Sequence, residues 1–122
     1  MTMQKSTDRL EMGLFRRAFE QRDAELLISL YADDAELRIV SCNNPPSSPF
    51  ELHGKEEIGD YWRDVFSRQM THLLEQEVVG EDSLAVNVAC KYPDGTRVLA
   101  TMMFDLHKGK IARQVDVQAW DV

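Results

Sequence analysis

Apolar residues return along this chain first at the period of a helix and later at that of a strand, and the change falls near His72. Leu10, Leu14, Phe15, Ala18 and Phe19 recur at helical spacing. Asp8 with Glu11 three residues on has the form of a capping box, so a first amphipathic helix is predicted to begin near Asp8. Asp23 marks a second start. It is followed by Leu26, Leu27, Leu30 and Tyr31, which predicts a shorter helix closing at the acidic pair Asp33 and Asp34 and completing a helical hairpin. Ala35 to Val40 alternates with Leu37 and Ile39 on one face, the pattern of a first strand. The next segment reads SCNNPPSSPF. Its prolines fix φ and remove backbone donors, which predicts an irregular surface loop of the kind that often serves as a lid or binding loop. Gly54 then opens a third helix, in which Ile58, Tyr61, Trp62, Val65, Phe66 and Met70 form one wide apolar stripe.

From His72 the alternation has period two, in runs near 72 to 80, 83 to 92, 96 to 107 and 110 to 120. The segments Tyr92 to Thr96 and His107 to Lys110 place Pro or Gly where a hairpin needs a fixed or positive φ, so the runs read as an antiparallel meander. Helices first and strands after, with one early strand between, predict an α+β fold in which helices cover one face of a sheet. In the last run Ile111, Arg113, Val115, Val117 and Ala119 alternate with Ala112, Gln114, Asp116, Gln118 and Trp120, so one face is mostly apolar and the other carries amide, carboxylate and indole groups.

Length and charge narrow the picture. The 122 residues suit one domain spanning 1–122, and 43% hydrophobic with 29% charged residues describes a globular chain. A net charge of -7 with no basic run argues against a nucleic-acid partner. No apolar segment is long enough for a spanning helix or a secretory signal, from which no membrane partner and a cytoplasmic location are expected. Cys42 and Cys90 have no metal-ligand spacing and are expected to be free thiols; the histidines are not at i, i+4 spacing, and no phosphate-binding glycine loop or nucleophile elbow is present. Neither a metal nor a cofactor is expected.

The order helix, helix, strand, proline loop, helix and four-strand meander resembles the nuclear transport factor 2-like superfamily, which includes ketosteroid isomerases, SnoaL-like polyketide cyclases and scytalone dehydratase. The residues carrying the resemblance are LYADDAELRIV, LHGKEEIGDYW and the closing GKIARQVDVQAW. It implies a cone whose curved antiparallel sheet and three helices enclose a pocket, and a homodimer formed through the outer sheet face, where Ala85, Ala89, Val115 and Val117 would pack. It also implies that Gln114, Asp116 and Gln118 point inward, with Leu37, Ile39, Met102 and Phe104 opposite. Steroid isomerisation needs a carboxylate base and two acidic donors for the enolate oxygen. Matched locally, those positions are Ile39, Phe15 and Met102, so that enzyme's known mechanism is not expected here.

Within the implied pocket Asp116 is the candidate general acid or base, since apolar surroundings raise a carboxylate toward neutrality; the competing reading pairs it with Arg113 or Arg38. His53, after the proline loop, is placed at the pocket mouth and is the candidate partner of Asp116 across it. Gln114 and Gln118 could orient a ligand carbonyl or hydroxyl. Tyr61, Trp62 and Trp120 are ordinary packing residues that would also form the aromatic part of a lining, with Ile39, Met102 and Phe104. His107 is expected in a solvated turn, and His72 opens the meander. Two functions remain open: a cofactor-independent isomerase, cyclase or lyase acting on a small, mostly apolar molecule, or a non-catalytic ligand-binding or dimeric assembly module.

Overall fold

The computed structural model describes residues 10–121, with nine elements in the order α1 (Met12–Glu20), α2 (Ala24–Ser29), β1 (Tyr31–Val40), β2 (Phe50–His53), α3 (Lys55–Ser67), β3 (Thr71–Val79), β4 (Ser83–Lys91), β5 (Arg97–His107) and β6 (Lys110–Trp120). The six strands form one curved sheet in the order β2-β1-β6-β5-β4-β3, and the helices lie on its concave side. The α+β class and the cone are as the sequence predicts. Four of the five ladders are antiparallel; β1 and β6 pair in parallel, because the chain leaves the sheet through α3 and returns by the meander.

Local chemistry explains the element boundaries. Asp23 caps α2, accepting from the Leu26 amide at 3.1 Å. Gly54, at φ 92, makes the left-handed turn from β2 into α3. At α1 the expected capping box is replaced by Glu11 itself as N-cap, accepting from Gly13, while Asp8 lies outside the described residues. The second helix ends earlier than its apolar spacing suggests. Tyr31 begins β1, so Asp33 and Asp34 belong to a strand rather than a helix end. The proline segment is shorter than expected too: Ser41 and Asn44 form a tight bridge, and Phe50–His53 returns as an edge strand on β1. Met70 lies beyond α3, yet it is buried beneath its last turn.

Bulges bend the sheet and decide which side chains face in. In β3 the register slips between Leu74 and Gln76, which turns His72 and Leu74 inward against Cys90 and Val88. In β6 it slips between Arg113 and Ile111. Ile111 therefore shares the inner face with Gln114 and Asp116, so the mostly apolar face expected of Ile111, Arg113, Val115, Val117 and Ala119 is not one continuous face. The core centres on Phe19, whose ring meets Phe15 at 5.2 Å, Trp62 at 5.3 Å and Phe66 at 5.8 Å between centroids. Removing so central a ring costs about 3–5 kcal/mol. No helix among the described residues is long and apolar enough to cross a membrane.

Candidate functional site

Among the described residues, three polar or charged side chains are buried in this interior: Gln114, Asp116 and His72. They are served very differently. Gln114 ends a closed chain of hydrogen bonds: the Trp62 indole donates to the Tyr31 hydroxyl at 3.0 Å, that hydroxyl donates to Gln114 Oε1, and Gln114 Nε2 meets Met102 Sδ at 3.5 Å. Burial and the nearby Asp116 push the Tyr31 phenol far above its usual range, so it is a permanent donor.

Asp116 is on the same strand, two residues further, with no exposure. Its Oδ2 accepts from Gln118 Nε2 at 3.4 Å, and its Oδ1 has no partner. Neither arginine reaches it: Arg38 is ion-paired with Glu51 at 3.2 Å, and Arg113 is exposed on the other face. Burial without a cation pushes the Asp116 carboxyl up to about 7, against a small downward effect of Gln118. Near neutral pH this group both gives and takes a proton.

Asp116 lines a cavity of about 60 Å³ with Phe19, Tyr61, Trp62, Met70, His72, Cys90, Tyr92, Met102, Gln118 and Trp120 among its walls. That is room for a few water molecules or the reactive end of a small ligand. Tyr61 is held protonated by burial and by the Asp116 charge. Gln118 Oε1 accepts from the Trp120 indole at 3.0 Å, and Trp120 lies 5.9 Å from Tyr92 between ring centroids. Arg68 closes the rim, donating to the Tyr92 hydroxyl at 3.0 Å and to Asp64 at 2.7 Å.

The structure thus brings together Asp116, Gln118, Tyr61, Trp62, Met102 and Trp120 of the residues singled out in the sequence. It does not bring His53, whose side chain is 63% exposed beside Glu36 at 3.7 Å, away from the cavity; the expected His53 and Asp116 pair is not formed. Ile39 and Phe104 are buried deeper, Phe104 edge-on to Phe15 at 5.3 Å, and Gln114 is occupied by its own network. The three positions matched to isomerase groups, Phe15, Ile39 and Met102, are apolar and almost fully buried.

His72 and Cys90 escaped the sequence reading as site residues. They are cross-strand partners, with Cys90 Sγ 3.3 Å from His72 Nδ1, while His72 Nε2 has no partner. Burial pushes the His72 imidazole down to about 4, Arg22 adding to it, and pushes the Cys90 thiol up to about 12, so both are neutral. Among the described residues no group of three or more His, Cys, Asp or Glu side chains could hold a metal ion.

A curved six-stranded sheet with three helices matches the nuclear transport factor 2-like fold, and the chain falls within that superfamily. The sequence model of the SnoaL-like domain matches residues 13–114, and the chain belongs to that family. Solved structures share the fold. An NTF2-like protein of unknown function from Mesorhizobium loti superposes with a TM-score of 0.76 at 18% identity, over 88% of this chain and 87% of that one. A ketosteroid isomerase candidate from Kribbella flavida gives 0.70 at 18% identity over 98% and 79%, and a polyketide cyclase candidate from Sinorhizobium meliloti 0.65 at 19% over 86% and 91%. No curated protein sequence matches the chain.

Proposed function

We propose that the cavity takes a small, largely apolar organic molecule and that Asp116 moves a proton on it, in an isomerase, cyclase or lyase type of reaction without a cofactor. The observation that carries this reading is a fully buried carboxylate with an unpartnered oxygen, in an aromatic-lined cavity and in no ion pair among the described residues. A structural carboxylate would be paired, since an unpaired one costs stability. Gln118, fixed between Asp116 and Trp120, orients the carboxyl. The names of the Kribbella and Sinorhizobium neighbours fit the same classes of chemistry. The steroid isomerase arrangement itself is not part of the reading, because Phe15, Ile39 and Met102 supply neither base nor donors.

Deuterium exchange at the acidic C–H of small cyclic enones and β-dicarbonyl compounds, followed by proton NMR in D₂O, tests this directly. The wild-type chain is expected to accelerate exchange for some members, and Asp116→Asn to lose about a hundredfold or more of that rate, the weight of a general base. Equal exchange by the variant would exclude Asp116.

A second reading, a binding or assembly module without catalysis, is favoured by the smallness of the cavity. Both readings include a homodimer through the outer sheet face, where Leu73, Leu99, Met103 and Val117 are between 43% and 62% exposed. Sedimentation at micromolar concentration is expected to show a dimer that Met103→Glu dissociates; a monomeric wild type would contradict it.

A further inference from the structure

The cavity holds only one end of an organic ligand, since about 60 Å³ is room for a few waters. The rest of such a ligand lies at the opening, and the residues there decide its chemistry. Apart from the neutral His72, two ionisable residues of opposite type line the cavity, Asp116 and Arg68. Asp116 is fully buried, whereas the Arg68 side chain is 43% exposed. The inner end is thus a carboxyl and the outer end a guanidinium.

Arg68 is anchored on several sides. It is the C-cap residue of α3, its carbonyl accepts from Arg22 Nη1, and its own Nη1 and Nη2 donate to the Tyr92 hydroxyl and to Asp64. Tyr92 packs against Trp120, so the guanidinium is tied to the aromatic wall. Of the five N–H donors of a guanidinium, those two bonds leave three without a partner among the described residues. Its charge is felt inside: burial raises the Tyr61 phenol most, the Asp116 charge adds to that, and Arg68 opposes both. Arg22 brings a second cation close by, and after burial its charge is what lowers the His72 imidazole. Among the described residues Arg22 is in no ion pair, and Arg68 has only Asp64. In a chain of net charge -7, two guanidiniums bonded to a single carboxylate make this opening a local exception.

We propose that the cavity takes its ligand as the anion of a carboxylic acid, with the apolar end inside and the carboxylate held at the opening by Arg68. The inference rests on the reading of the cavity as a ligand site, and it holds whether or not Asp116 moves a proton there. A planar guanidinium fork with free N–H donors matches a carboxylate, which accepts two parallel bonds. Tyr61, Trp62 and Trp120 offer ring faces and edges to an arene or alkene behind that head group. The reverse orientation sets the anion against buried Asp116, whose ionised form repels it and which has no bonded partner but Gln118. Arg68 therefore acts on selection and not on the reacting end: it fixes the charged head and leaves the apolar end beside the carboxyl.

4-Fluorophenylacetate and 4-fluorophenylacetamide differ in charge and hardly in shape, and fluorine NMR on the full chain reads the affinity of each. The wild type is expected to bind the carboxylate about tenfold more tightly than the amide, a preference that shrinks as salt is raised. Fluorine-to-proton Overhauser contacts are expected to the Tyr61 and Trp62 rings, which places the apolar end inside. Arg68→Gln should abolish the preference while amide binding stays within about threefold, which also shows that the variant is folded. The salt dependence of the wild type needs no variant at all. Equal affinity for the two probes, a preference indifferent to salt or surviving Arg68→Gln, or Overhauser contacts confined to residues outside the cavity overturns the inference. Amide binding inside the cavity in any of those cases keeps the ligand reading alive for an uncharged molecule. A wild type that binds neither probe at millimolar concentration overturns the inference and the ligand reading together.

Discussion

Gln114 and Asp116 are two residues apart on β6, equally buried, and opposite in what surrounds them. Around Gln114 every polar side chain has a partner, in the chain Trp62, Tyr31, Gln114, Met102. Along the cavity, one Asp116 carboxylate oxygen and the Nε2 of His72 have none. Burial of a polar residue in a cone is therefore not in itself a sign of a site. What separates the structural end from the proposed site is satisfaction: the closed end is fixed by its own bonds, and the open end has polar atoms left without any.

The widest contrast should appear in the pH dependence of stability. Asp116 has a folded value of about 7 against an ordinary 3.8, so the folded state holds its proton longer than the unfolded chain. Its contribution is most favourable below about pH 4 and is lost as pH rises to 7, an effect of at most about 4 kcal/mol. His72 runs the other way. Its folded value of about 4 against 6.5 means that the unfolded chain binds the proton first, so stability falls by up to about 3 kcal/mol as pH drops from 6.5 to 4. The two slopes oppose each other across the shared window. Urea unfolding from pH 4 to 8 is expected to show Asp116→Asn increasingly more stable than wild type as pH rises toward 7, then level. His72→Gln should gain on wild type as pH falls. Variant and wild-type curves that stay parallel would mean that neither group is buried at its open end.

The closed end should respond with a loss at every pH. Tyr31→Phe removes one oxygen and leaves both the Trp62 N–H and Gln114 Oε1 unpaired in the core, at an expected cost of about 2–3 kcal/mol in urea unfolding. No ligand can restore it. A loss below about 0.5 kcal/mol would show that the network carries no stability and would erase the distinction between the two ends.

How much of this contrast could be read from the sequence depends on what set it. The stripe from Ile58 to Phe66, the Asp23 cap and the meander turns are local signals, and the helices and strands they announce are present. Alternation put Asp116 on one face with Gln114, and the family resemblance, not the pattern itself, said that this face points inward. The inward position of His72, which lines the same cavity, did not follow from the pattern. A hairpin counted back from the pairing of Val79 with Leu84 sets His72 opposite Lys91, and only the bulge near Glu75 brings it to Cys90 on the inner face. The bulge in β6 likewise broke an alternation that looked continuous. Tyr31 was assigned to a helix because its spacing to Leu27 suits one, which hid the hydroxyl that satisfies Gln114. Bulges and the first residue of a strand are set by tertiary packing, and no short pattern records them. His53 was placed at the pocket because β2, four residues at an exposed edge, gave too short an alternation to recognise; that strand holds it beside Glu36 instead.

Gln118 stands at the boundary of the open end, and it supplies the smallest and most specific test. Its amide donates to Asp116 Oδ2 at 3.4 Å and accepts from Trp120 at 3.0 Å, partly exposed in both roles. A long hydrogen bond to the ionised form lowers the Asp116 pKa only slightly against the dominant effect of burial. Gln118→Leu is therefore expected to cost about 1 kcal/mol or less in unfolding, since Trp120 can turn its N–H toward solvent. The carbon-13 titration of the Asp116 carboxyl should move upward from about 7, and the basic limb of any exchange rate should move with it. A downward movement would mean that water enters when the glutamine is removed, and that Gln118 acts by shielding the carboxyl rather than by bonding to it. An upward shift with an unchanged rate profile would separate the carboxyl from the chemistry altogether, leaving the open end a binding surface.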